Sequence, residues 1–86
     1  MDSDKSRQVV ASHVARILRQ ERERQGLSMT TLGERAGLSQ QMISYVEREM
    51  RIPSLDTLLR ITDALGIGLE VVIQKARKAA LGGRFR

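Results

Sequence analysis

With 86 residues, no cysteine and one histidine, the chain has room for one small domain and a modest core. Disulfides, thiolate metal sites and thiol nucleophiles are excluded, and a zinc site would have to rely on carboxylates, so neither metal nor cofactor is expected. The net charge of +5 is confined to the C-terminal side: the ten acids are balanced by ten bases through Gln74, and the excess is Lys75, Arg77, Lys78, Arg84 and Arg86.

Bulk charge therefore describes a basic tail and not a basic domain. Any attraction to phosphate has to come from local placement of arginines, since it is screened within about 10 Å. No apolar run is long enough to span a bilayer, and MDSDKSRQ is not a signal peptide. A cytoplasmic protein with no membrane partner is expected.

The polar start (1–4) is expected to fray. A helix is predicted over about 5–25, where Val10, Val14, Ile17 and Leu18 recur at helical spacing. Asp4 or Ser6 caps its start, and Gly26 ends it. His13 borders the apolar stripe. It reads as a half-buried helix residue, with a pH sensor or ligand as the alternative.

Ser28 is a good N-cap for a second helix reaching about Ala36, with Leu32 and Ala36 as its inward pair. Gly33 lies where a side chain would obstruct close approach of another helix. Gly37 ends this helix, Leu38 plugs inward, and Ser39 caps a third helix over 40–48 that turns Ile43 and Val46 to the core. Two short helices joined by a glycine-containing turn match a DNA-reading unit over 29–48. Gln40, Gln41, Ser44 and Tyr45 share the outward face of its second helix. Glutamine amides donate and accept together, which suits adenine N6 and N7, and tyrosine can meet a thymine methyl or a phosphate.

Ile52 is expected to pack down and Arg51 to stay exposed in the connection over 49–53. Ser54 then caps a helix to Leu65. Leu55, Leu58, Leu59, Thr62 and Leu65 are its expected buried face, Asp56, Arg60 and Asp63 face water, and Gly66 stops it. The period then changes to two: Ile67, Leu69, Val71 and Ile73 alternate with other residues, which argues for a half-buried strand over 67–74. A lone strand leaves its backbone unpaired, so antiparallel pairing with a second copy is expected, placing Ile67, Leu69, Val71, Val72 and Ile73 in a dimer interface. The alternative is a fifth amphipathic helix, with Ile67, Val71 and Val72 on its face. The basic tail over 75–86 includes a short helix over 75–81 that Gly82 and Gly83 break. It is either a solvated end or a phosphate contact.

The segments GLSMTTLGERAGLSQQMISYVER and RIPSLDTLLRITDALGIGL resemble the Cro- and phage-repressor-like helix-turn-helix family, the Xre family of bacterial regulators. The resemblance runs over about 14–69 and is specific for fold and for DNA binding. It implies an all-α, lambda-repressor-like domain of four to five helices over 1–66, here with a short C-terminal strand. It implies double-stranded DNA as partner, with Gln40, Gln41, Ser44 and Tyr45 facing bases. Ser28, Thr30, Ser39, Arg48 and Arg51 become phosphate contacts, and Arg22 with Glu47 a structural ion pair. Two positions depart from the family pattern. Met29 stands where a polar residue, often Gln, opens the first helix of the motif, and Glu49 stands where the following loop carries Gly. A left-handed Glu would be strained, so the loop is expected to take another path.

LGIGLEVVIQ further resembles HipB-type antitoxins, which raises a toxin as a second partner. The combined reading is a homodimeric repressor on an inverted-repeat operator, and not an enzyme. Its rivals are an antitoxin that autoregulates its operon and a helix-turn-helix fold that has lost DNA binding.

Overall fold

The computed structural model describes residues 3–84, with side chains from Lys5 to Gly82. Five helices follow in order: α1 (Ser3–Arg24), α2 (Met29–Ala36), α3 (Gln40–Glu47), α4 (Leu55–Leu65) and α5 (Leu69–Arg84). Asp4 and Ser6 lie inside α1 and do not precede it. The tail's Arg86 lies outside the described residues, as does the side chain of Arg84.

Local chemistry sets the boundaries of the middle helices. Ser28, Ser39 and Ser54 each accept the N–H three residues on (Thr31, Met42 and Thr57) at 3.0 Å. An N-cap of this kind contributes about 1 kcal/mol. At the other ends, Gly26, Gly37 and Gly66 are left-handed. The residue after each closes the helix by returning its N–H to the carbonyl five residues back: Leu27 to Arg22, Leu38 to Gly33 and Ile67 to Thr62. Leu27, Leu38 and Ile67 then pack against the core.

That core is Val14, Leu18, Leu32, Ile43, Val46, Ile61, Leu65, Val72 and Ala76, drawn from all five helices. Buried Thr62 returns its hydroxyl to the Leu58 carbonyl at 3.1 Å. Gln25 joins the end of α1 to the end of α4 by donating to the Leu65 carbonyl at 2.7 Å.

Three expectations are corrected. The segment over 67–74 is not a strand: Ile67 follows the α4 stop, and α5 begins at Leu69 and runs through Gly82 and Gly83. A helix satisfies its own backbone, which an unpaired strand does not. The apolar pattern also extends beyond Gln74: Val72 and Ala76, one turn apart, are 1% and 0% exposed, and α5 packs chiefly along α1. Val72 is therefore core and no interface residue, and Val71 points elsewhere, 41% exposed. In α4, Ile61 is buried where Leu55 and Leu59 were expected; those two are 65% and 41% exposed. Ile52 does not pack down but is 98% exposed.

Candidate nucleic-acid interface

α2 and α3 meet through a turn that only a small residue at position 33 permits. A Cβ on Gly33 would lie 2.6 Å from the Leu38 carbonyl oxygen and 3.4 Å from the Gln40 nitrogen. The backbone that starts α3 thus rests on α2 itself. Leu32 and Ile43 seal the contact, 1% and 0% exposed.

The far end of α3 is tied to α1. Arg22 donates from Nε to Glu47 Oε2 at 2.7 Å and from Nη2 to Oε1 at 2.9 Å, while Nη1 reaches the Leu27 carbonyl at 2.8 Å. Only 10% of the Arg22 side chain and 3% of the Glu47 side chain are exposed. The hydrogen bond to Glu47 holds the Arg22 guanidinium above its ordinary pKa, against burial. A bidentate pair has one relative orientation, so it fixes the angle between α1 and α3.

Between these anchors α3 presents its free face. Gln40 and Gln41 are exposed, and Ser44 and Tyr45 are half-buried one turn later. Gln41 donates its Nε2–H to the Tyr45 hydroxyl. The Arg51 guanidinium carbon lies 5.1 Å from the centre of the Tyr45 ring. Neither link was anticipated beyond the shared face of Gln41 and Tyr45: the i, i+4 spacing was visible, the stacking of a loop residue was not.

The loop that carries Arg51 follows the left-handed path after all. Glu49 has φ +60°, its N–H returns to the Val46 carbonyl at 3.2 Å, and the Met50 N–H returns to the Tyr45 carbonyl at 2.9 Å. This is the same helix stop as at the three glycines, made here by an acid. Ser12 on α1 donates its hydroxyl to Glu49 Oε1 at 2.6 Å. That bond gives the strained residue an anchor a glycine would lack.

Of the residues assigned to phosphate, Thr30, Arg48 and Arg51 are exposed, as are the capping residues Ser28 and Ser39. Ser28 already donates its hydroxyl proton to Thr31 Oγ1 at 3.0 Å. Met29 is half-buried against the core, so it supplies packing where a polar residue would supply a contact. Among the described residues no group of acids and histidine is arranged to hold a metal, and no helix is long and apolar enough to cross a membrane.

A helix-turn-helix family profile matches residues 18–72. An uncharacterized HTH-type transcriptional regulator of Mycobacterium tuberculosis strain H37Rv, Rv0474, is 42% identical over 60 residues, 70% of this chain and 43% of that protein. The chain thus spans less than half the length of that relative. An HTH-type transcriptional regulator of Sinorhizobium fredii, y4dJ, is 32% identical over 78 residues, 91% of this chain and 96% of that one. Among solved structures, a point mutant of the restriction-modification controller protein C.Esp1396I superposes with a TM-score of 0.77 at 23% identity, covering 85% of this chain and 95% of the other. That likeness concerns the fold, and the all-α helix-turn-helix architecture is shared.

Proposed function

Because the chain belongs to the helix-turn-helix family, we propose that it is a DNA-binding transcriptional regulator acting as a repressor by occupying its operator. The supporting observation is the polar face of α3, with Gln40 and Gln41 exposed at its first turn and both ends of the helix fixed to the body of the fold. A helix that enters the major groove needs side chains that match base edges and a frame that keeps them in register. Thr30, Ser39, Arg48 and Arg51 would lie along the phosphates, with Ser28 contributing less because its hydroxyl proton is engaged. The test is selection of bound DNA from a random pool, followed by the Gln40→Ala, Gln41→Ala double variant on the selected site. A good base contact is worth about 1–3 kcal/mol. Unchanged affinity and selectivity would refute base reading by α3.

The operator proposed is an inverted repeat, read by two copies whose recognition helices enter successive major grooves about 34 Å apart. With the strand gone, the dimer surface moves to the face of α4 and α5. Leu55 and Leu59 are one turn apart and exposed, and Leu59 borders a shallow groove with Leu69, Glu70, Ile73, Gln74 and Arg77. Glu70 and Arg77 lie equally far on either side of the Ile73–Gln74 step. An antiparallel α5 pair about a two-fold axis at that step sets each Glu70 against Arg77 of the second copy. That complementarity favours a second copy as the occupant. The antitoxin reading rested on the terminal strand, and the helix found there removes its support.

A further inference from the structure

We propose that Tyr45, held by Arg51, orients the Gln41 amide and so commits it to adenine over guanine. The inference rests on the DNA-reading role given to α3 above.

A free glutamine amide can turn over, exchanging its carbonyl for its NH2, and each orientation suits a different purine. Adenine shows an acceptor, N7, beside a donor, N6; guanine shows two acceptors, N7 and O6. Only an amide that presents one N–H and one C=O together matches adenine. An amide that turns its NH2 outward serves guanine. Gln41 is not free: its Nε2 donates to the Tyr45 hydroxyl. With one N–H committed there, the remaining N–H and Oε1 form the pair that adenine needs, and guanine would set its O6 against Oε1.

The direction of that bond has its own cause. A tyrosine hydroxyl both donates and accepts, so it can hold the amide either way. The Arg51 guanidinium over the ring, 5.1 Å from its centre, holds the phenol in place by its attraction to the ring face and so fixes where the hydroxyl sits. Where that hydroxyl meets the DNA backbone, its partners are phosphate oxygens, which only accept. Once the hydroxyl proton goes to phosphate, the tyrosine oxygen accepts, and Nε2 is the end of Gln41 it receives. Arg51 is brought to the ring by the left-handed turn at Glu49, which reverses the chain directly after α3. Arg51 thus acts as a positioning residue for Tyr45, whatever charge it also offers the backbone.

The experiment uses the full chain on the operator selected from a random pool. Gln41→Ala identifies the base pair that Gln41 reads, as the position whose preference vanishes, and the preferred base there is expected to be adenine. Tyr45→Phe keeps the ring and its stacking but removes the anchor. It is expected to lower the adenine-over-guanine ratio at that pair roughly tenfold while the other positions keep theirs. Arg51→Ala is expected to lower the same ratio in the same direction. A phosphate contact alone would weaken all sequences together and reduce the salt slope by about one, with the ratio intact. A preferred guanine at that pair, an unchanged ratio in Tyr45→Phe, or a uniform loss across sequences overturns the assignment. A pool that enriches no sequence overturns both this inference and the DNA reading. An enriched site with an indifferent Tyr45→Phe overturns this inference alone.

Discussion

Arg22 and Glu47 are the charged pair most fully removed from water among the described residues. Two desolvated charges stabilise a fold only while each has the other. Glu47→Ala is therefore expected to cost about 3–5 kcal/mol, whereas Arg22→Met with Glu47→Leu should recover most of it. Urea denaturation of the single and the double variant decides this. Recovery of stability combined with loss of operator binding would identify the pair's task as setting the α3 angle. Glu21 offers a pH-dependent counterpart. Hydrogen bonds from Arg24 and Gln25 hold its carboxyl down at about 2, below the usual 4.5. A depressed carboxyl contributes stability that is fully present above 4.5 and is lost as pH falls towards 2. Glu21→Gln is expected to flatten the acid limb of the stability–pH curve over that window and to leave the region near neutrality little changed in shape.

The helix ends show how one stop signal can be written in two ways. Three are glycines at positive φ, a conformation that costs other residues about 1–2 kcal/mol. The fourth is Glu49, and the Ser12 hydroxyl offsets part of that cost. Ser12→Ala is expected to lose about 1 kcal/mol. In that background Glu49→Gly should gain about 1 kcal/mol, because the strain remains after its compensation has gone. Thermal or urea unfolding of the cycle checks both steps, and a loss on Glu49→Gly in the Ser12→Ala background would contradict the strain. The same turn carries Arg51 over Tyr45, so the element that ends α3 also arranges the face proposed to read DNA.

For the molecule as a whole, α5 completes the core and carries the proposed dimer surface. Val72 and Ala76 complete the core against α1, so a chain truncated after Gly66 is expected to lose cooperative unfolding altogether. Such a truncation says nothing about dimerisation, and surface charges on α5 give the cleaner measurement. Glu70→Lys and Arg77→Glu should each weaken the dimer by setting like charges across the two-fold axis, and the double exchange should restore it. Sedimentation at micromolar concentration reads the result. A wild-type monomer refutes the dimer, while a wild-type dimer indifferent to all three variants keeps the dimer and removes this interface.

The helix-turn-helix over 29–48 was legible in the residues alone, because capping serines, stop glycines and core spacing are local signals that the backbone must obey. So was the neutral balance through Gln74, whereas Arg22 and Glu47 as partners came only through the family resemblance. The C-terminal segment was not legible in the same way. Ile67, Leu69, Val71 and Ile73 satisfy a period of two, and Val72 with Ala76 satisfies a helix. Short apolar runs carry both periods, and only packing against α1 chose between them. The left-handed Glu49 is likewise a tertiary decision, since the Ser12 hydroxyl that anchors it comes from a helix thirty-seven residues away in sequence. Tertiary contact also joined Arg51 to Tyr45 and left Leu55 and Leu59 uncovered, because a residue's neighbours across the fold are not written in its own spacing.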